Sequence, residues 1–287
     1  MSLAPAYAQA LEAGTFGALE QAYLHRATAE DALALHVGRD VLIAQAVAHA
    51  ALVRDARVDI VHDGSMLGVT RLRGIHDSTI WNVPPLDAQV SLREHRWSRR
   101  EGSGVIEDVV VTDWAGLAEA INADLGEVAA EIGAASPLQL PLGELRSGRG
   151  QLAPSPSSGW GGACDELVDA IHRIWNGRRL DEIQNLFSAD ATWVGPRGRS
   201  GGPAELRRWL TKLLAALPDA TLVPDEVEAS GEHVAIRWRL FGHRSGRRVR
   251  MIVSMLLRIE CGKIVADDTL LDELALLATP YRPLMTL

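Results

Sequence analysis

"EHVAIRWRLFGHRSGRRVRMIVSMLLRIECGKIVADDTLL", residues 232–271, is where the chain changes its period. Apolar residues recur there at every second position: Val234, Ile236, Trp238 and Leu240, then Val249, Met251, Val253, Met255 and Leu257. A repeat of two is that of a β-strand, whose successive side chains point to opposite faces. "HRSG" and "CGK" break the run as turns, leaving three strands, and "ATLVPDEVEA" (220–229) before "SGE" supplies a fourth. Four strands joined by such turns build an antiparallel sheet.

Upstream the period is that of a helix. "CDELVDAIHRIWNG" (164–177) sets Leu167, Ile171, Ile174 and Trp175 on one face and ends at Gly177. "RLDEIQNLF" (179–187) reads as a second, short helix, followed by the strand-like "DATWVG" (190–195). "GPAELRRWLTKLLAAL" (202–217) opens with Pro203 in the first turn and places Leu206, Trp209, Leu210, Leu213, Leu214 and Leu217 at helical spacing before Pro218 stops it. Three helices and a curved antiparallel sheet predict an α+β fold with helices on one face of the sheet.

The amino half runs in the same order. "FGALEQAYLHR" and "RDVLIAQAVAHAALV" read as helices, and "ARVDIVHD", "SMLGVTRLRGIH", "AQVSLREHRWSRR" and "GVIEDVVVTDW" as strands. "RDARVDI" parallels "PDATLVP", "LGVTRLRGIH" parallels "VAIRWRLFGH", and "GVIEDVVVTD" parallels "GKIVADDTLLD". We read an internal duplication: a first domain over 1–135, a Pro/Gly/Ser-rich linker over 136–163 and a second domain over 164–287. The residues alternate to Val249–Leu257 include Ile252 and Leu256, so that strand is apolar on both faces. The expectation is two sheets packed within one chain as a pseudo-dimer, with a homodimer as the other arrangement that covers such a face.

Composition narrows the function. The 287 residues carry a formal net charge of −8, which disfavours nucleic acid as a partner. "GHRSGRRVR" (242–250) is short and interrupted, and reads as a solvated hairpin. "MSLAPAYAQALEAG" has neither the basic start nor the apolar run of a signal peptide, and no 18-residue apolar stretch suggests a membrane span, so a cytoplasmic location is expected. Cys164 and Cys261 lack metal-ligand spacing. His25, His36, His49, His62, His76 and His95 are scattered through the amino half without a shared face.

"WVGPRGRSGG", "LLAALPDATL", "EHVAIRWRLFGHRSG", "LLRIECGKIV" and the closing "DTLLDELALL" resemble, in order, the SnoaL-like polyketide cyclases, within the nuclear transport factor 2-like and ketosteroid isomerase-like cone folds. The amino half resembles a diverged copy. The chain departs from the family's pattern at Asp268, at "GHR" and at "LATP". The resemblance implies a small-molecule isomerase or cyclase that closes rings by aldol-type proton transfer, with no metal or organic cofactor. Its partner would be a small apolar or polyketide-like molecule.

Asp272 stands where the resemblance puts an acid–base aspartate. Strand alternation puts Asp268, Leu270 and Asp272 on one face and Asp267, Thr269 and Leu271 on the other. On this reading Asp272 and Asp268 face the cavity, where desolvation favours a carboxyl that gives and takes a proton. Asp272 also precedes "ELALL" in the manner of a helix N-cap, which is the structural alternative. His243 could line the cavity mouth or sit in a wet turn. Trp193 and Trp238 could floor the site for a planar substrate or serve as core, and Arg237 and Arg258 could face the cavity or solvent. Two other functions remain open. A cofactor-free epoxide hydrolase would need an Asp–Arg–Asp group, for which Asp268, Asp272 and Arg237 or Arg258 offer the residue types. A catalytically silent binding or assembly module would suit a degraded duplicate. Asp108 and Asp113 persist in the amino copy, whose "DSTIWNVPPLDAQ" loop predicts an altered or filled cavity.

Overall fold

The computed structural model of the protein describes residues 3–31, 35–135, 162–244, 247–271 and 273–278. The chain forms two tandem cone-shaped α+β units, each built on one six-stranded sheet. Of the linker expected over 136–163, residues 136–161 lie outside the described set, and Gly162 already starts a helix.

The first unit begins with helices α1 (Ala4–Ala13) and α2 (Gly17–Ala22), strands β1 (Tyr23–Glu30) and β2 (Leu35–Val37), and helix α3 (Arg39–Ala50). Four strands follow, β3 (Val53–Asp63), β4 (Leu67–His76), β5 (Gln89–Glu101) and β6 (Gly104–Thr112), then helices α4 (Trp114–Ala120) and α5 (Leu125–Ala135). "FGALEQAYLHR" is therefore not one helix. It ends at Ala22, because Tyr23 turns extended and enters β1 with its side chain buried.

The second unit repeats the order with α6 (Gly162–Trp175), α7 (Ile183–Leu186), β7 (Phe187–Val194), β8 (Ser200–Gly201), α8 (Pro203–Ala216), β9 (Thr221–Ser230), β10 (His233–Arg244), β11 (Arg247–Glu260) and β12 (Lys263–Leu271). The sheet orders are β2-β1-β6-β5-β4-β3 and β8-β7-β12-β11-β10-β9. In both, the last strand is antiparallel to its predecessor and parallel to the first. Interruptions in register at Arg237/Trp238 and Arg258/Ile259 bend the second sheet, as β-bulges do.

Local chemistry sets the helix ends. A Cβ on Gly177 would lie 2.6 Å from the carbonyl oxygen of Arg173, so only glycine fits the chain's exit from α6. Pro203 starts α8, and the Glu205 carboxylate accepts the Gly202 N–H at 2.9 Å. Leu167, Ile171, Ile174 and Trp175 of α6 and Leu206, Trp209, Leu210, Leu213 and Leu214 of α8 are all buried, as their spacing predicts.

The last described helix, α9 (Glu273–Ala278), groups with the first unit. Leu274 is fully buried in a cluster with Ala115, Val128 and Ala129, and Trp114 and Leu277 pack beside it. Among the described residues no helix is long and apolar enough to cross a membrane.

Candidate functional site

The interior of the second cone holds a small hollow of ≈ 20 Å³, room for about one water molecule. Helix α6 contributes Ile171, Ile174 and Trp175, α8 contributes Leu206, Trp209 and Leu210, and Ile183 of α7 and Phe187 of β7 add to the lining. From the sheet come Met255 and Leu257 of β11 and Ile264, Asp267 and Thr269 of β12. Two of these lining side chains, Asp267 and Thr269, carry oxygen, and they are bonded together. The Thr269 hydroxyl donates to Asp267 Oδ1 at 2.6 Å, and Asp267 is 5 % exposed.

The cavity face of β12 is thus its odd-numbered face. Asp267 and Thr269 look inward, and Asp268 lies on the opposite face, level with Val194 of β7 and Leu256 of β11. The inward placement expected of Asp268 is corrected to Asp267. Asp272 lies outside the described residues.

The remaining predicted residues divide between the faces. Trp193 stands beside Asp267 in the adjacent parallel strand, buried, with its ring 5.4 Å from that of Trp209. A Cβ on Gly195 would fall 2.1 Å from the Trp193 ring, so this glycine makes room for the indole. Trp209 in turn meets Trp175 edge-on at 6.0 Å. Trp238 is fully buried opposite Val253, on the same sheet face as Met255. Arg237 projects from the other face and bonds Asp225 at 2.8 Å, with Glu226 at 3.7 Å. Burial pushes the Asp225 carboxyl up, but Arg237 and Arg239 outweigh it and hold the group below its usual range. Arg258 is exposed and pairs with Glu260 at 2.9 Å. His243 is also exposed; its Nδ1 lies 2.6 Å from Asp219, which accepts the His243 backbone N–H as well. Neither Arg237, Arg258 nor His243 is among the residues that line the cavity.

The first cone carries a second constellation. Glu94, Arg96 and Ser98 alternate along β5 on the face that meets Asp108 of β6. Arg96 bonds both carboxylates, Glu94 at 2.5 Å and Asp108 more closely, and its guanidinium lies 4.2 Å above the Tyr7 ring. The Tyr23 hydroxyl donates to Asp108 at 2.6 Å, and Ser98 donates to its other oxygen at 3.1 Å. The Tyr7 hydroxyl donates to Glu94 at 3.2 Å and lies 2.7 Å from His49 Nδ1. Every member is buried. Burial pushes the Glu94 carboxyl up, but the Arg96 charge and the His49 hydrogen bond outweigh it and hold it at about 2. Burial, then Glu94 and Asp108, raise the two phenols well above their ordinary value.

This network was missed in the sequence, although Glu94 and Arg96 are two apart on a strand and Asp108 matches Asp267 in the paralleled segments. Two carboxylates flank an arginine here, with Glu94 in place of one aspartate of the Asp–Arg–Asp group sought at Asp268, Asp272 and Arg237 or Arg258, and Arg96 bonds both directly. Among the described residues, no three His, Cys, Asp or Glu side chains gather in a way that could hold a metal ion.

Residues 168–266 match the family described as the SnoaL-like domain, so the second unit carries a SnoaL-like domain. No curated protein matches the chain. Among solved structures, IdmH from Streptomyces antibioticus is 20 % identical, with 42 % of this chain and 98 % of that one covered, at a TM-score of 0.38. An NTF2-like protein of unknown function from Burkholderia pseudomallei is also 20 % identical, covering 42 % of this chain and 99 % of its own, at 0.37. A Jannaschia protein of the SnoaL-like type is 16 % identical over 42 % and 94 %, at 0.37.

Proposed function

We propose that the second unit is a small-molecule isomerase or cyclase of the SnoaL-like type, with Asp267 as the group that moves the proton. One observation carries this reading: a buried carboxyl lines an apolar, aromatic-walled hollow inside the cone. A carboxyl held beside the reacting carbons can take a proton from one and return it to another, the transfer that acid–base catalysis needs. The Thr269 hydroxyl donates to one oxygen of that carboxylate and holds it in place. Proton removal beside a carbonyl and return at another carbon is one such isomerisation, and the same first step opens an aldol ring closure.

The test is conversion of 3-cyclohexen-1-one to its conjugated isomer, followed by ultraviolet absorbance. Asp267→Asn keeps the shape and is expected to lower turnover on the order of 100-fold. Asp272→Asn, at the position the family resemblance favours, is assayed beside it. A full rate in Asp267→Asn with loss in Asp272→Asn moves the role to Asp272.

The Glu94–Arg96–Asp108 grouping supplies the residue types for a second reading, for the first unit alone: cofactor-free opening of an epoxide by water. Hydrolysis of 1,2-epoxyhexane that disappears in Asp108→Asn, with Asp267→Asn unaffected, is the result expected of it. Hydrolysis at the uncatalysed rate removes it.

A further inference from the structure

Counted along the paired strands, Glu94, Arg96, Ser98 and Asp108 correspond to Val253, Met255, Leu257 and Asp267. The match extends to Gly74 opposite Val90 and Gly242 opposite Val249. Beyond these glycines the two units part. β10 and β11 stay paired as far as Arg244 and Arg247, whereas the β4–β5 ladder ends at Ile75 and Gln89, with residues 77–88 between the strands.

The inserted stretch folds back on itself at "IWNV", residues 80–83. Ile80 and Val83 exchange backbone hydrogen bonds of 3.1 and 2.8 Å, and the residues between them have positive φ, 49° at Trp81 and 60° at Asn82. Such a turn prefers glycine or asparagine at both places, since a Cβ crowds the left-handed backbone. Asn82 meets the preference and Trp81 does not. A large side chain held against its backbone preference points to a use for its ring. Trp81 packs against the interior cluster of the first cone, which holds Leu72, Val90 and Leu92. Its ring meets Trp114 edge-on at 6.1 Å, and Trp114 meets His49 of the buried network in the same way at 5.1 Å. This part of the interior is filled from a loop rather than from the sheet.

The roots of the stretch are lightly held. Arg54 bonds Asp77 at 3.2 Å and Asp87 at 2.7 Å, one carboxylate at each end, and all three side chains are exposed. Exposed ion pairs contribute little, so the closed position depends mainly on Trp81. His76 lies at the same roots, its backbone N–H donating to Ala88 at 2.9 Å. It shares the inward face of β4 with Leu72 and Gly74 and is 1 % exposed. Neither of its ring nitrogens has a hydrogen-bond partner among the described residues. A neutral imidazole carries one donor and one acceptor, and both are costly to leave unmade in an interior.

We infer that residues 77–88 form a lid on the first cone, and that Trp81 holds the place of a planar aromatic ligand bearing a hydroxyl or N–H group. Entry of the ligand swings the stretch outward as the Arg54 pairs release. The ligand's ring then replaces the indole against Trp114, and its polar group meets His76. The footprint of the Trp81 ring sets the size of what is taken. The network around Arg96 stays bonded throughout, so the site is separate from both readings given above.

The probes are 2-naphthol and naphthalene, which share their rings and differ by the hydroxyl. Both are measured by equilibrium dialysis against the full chain. Trp81→Gly suits the positive φ and removes the resident ring, so it should bind 2-naphthol at least about ten-fold more tightly than the unaltered chain, as removal of a competing state predicts. Arg54→Met keeps Trp81 and frees the roots, and should tighten binding on the order of three-fold, the worth of an exposed ion pair. His76→Leu, added to whichever of these binds more tightly, should leave naphthalene binding as it was and remove the advantage of 2-naphthol. If one of the two variants fails to fold, the other carries the test. A folded variant that shows no gain overturns the inference, and so does an advantage of 2-naphthol that is absent beforehand or survives His76→Leu.

Discussion

Strand pairs β5–β6 and β11–β12 occupy the same places in their sheets, yet they fill their cones by opposite means. The first brings Glu94, Arg96, Ser98 and Asp108 together with Tyr7, Tyr23 and His49, and its polar groups answer one another. The second brings Met255 and Leu257 against Ile171, Ile174, Trp175 and Trp209, leaving one carboxyl and one hydroxyl within an apolar hollow. A duplicated fold can keep its backbone while one interior becomes a bonded core and the other a cavity. The difference lies in a few inward positions of a single strand.

The largest expected effect comes from removing the cation of the first interior. Arg96→Met copies the second unit at that position but leaves Glu94 and Asp108 buried together. Breaking a buried pair from one side costs about 3–5 kcal/mol. Unfolding followed by amide hydrogen exchange should show the loss confined to the first unit. The double change Glu94→Val with Arg96→Met copies the second unit more fully and leaves one buried carboxylate in place of two. It should be less destabilising than Arg96→Met alone, a non-additivity expected of groups in one network. If the double variant is the less stable, the two interiors are not exchangeable in the way their registers indicate.

Acid should separate the units next. Glu94 has an ordinary value of 4.5 and is held at about 2 in the folded protein, chiefly because Arg96 and His49 overcome its burial. A folded value below the unfolded one means the native state binds fewer protons, so stability rises with pH across that interval. The contribution is on the order of 3 kcal/mol by the linkage relation. It is fully present above about pH 4.5 and is lost as pH falls toward 2. Hydrogen exchange at stepped pH should show the first unit loosening through that window, and Glu94→Gln should flatten the dependence there. An unchanged slope in Glu94→Gln would mean that other carboxylates govern acid unfolding.

How far the sequence reached follows from the same residues. The switch of period from 3.6 to 2 located β9 to β12 and the helices before them, since long amphipathic elements write their burial directly into spacing. Strand β1 was hidden because "AYLHRATAE" continues a helical spacing through Tyr23, and only the tertiary partner of that phenol, Asp108, shows where it points. The inward face of β12 was misassigned because Asp267 and Asp268 are adjacent. Alternation gives each face one carboxylate, and periodicity has no means of choosing between them. The match of Asp108 with Asp267 held the missing signal, a carboxylate kept at the same register in both copies. The network around Arg96 draws on α1, β1, α3, β5 and β6, with Tyr7 and Glu94 separated by 87 residues. Short-range patterns cannot assemble such a set.

The smallest effect tests the end of the repeat. Asp113 follows β6 and caps α4, its carboxylate accepting the Gly116 N–H at 3.2 Å. Arg93 stands 3.9 Å away. Asp113→Ala should lower stability by about 1 kcal/mol, the usual worth of an N-cap. Asp113→Asn keeps a side-chain oxygen for the cap and should restore most of the loss, with Arg93 accounting for any remainder. Asp272 holds the matching place in the paralleled segments, one residue after Leu271 and one before Glu273 of α9. The same two substitutions there separate its two readings. A cap loses about 1 kcal/mol with Ala and almost nothing with Asn. An acid–base group loses turnover with Asn at unchanged stability. If Asp272 behaves as Asp113 does in unfolding, and Asp272→Asn turns over at the full rate, the repeat has kept a cap at this position in both copies. The chemistry of the second cone then falls to Asp267, five residues earlier on the face that looks inward.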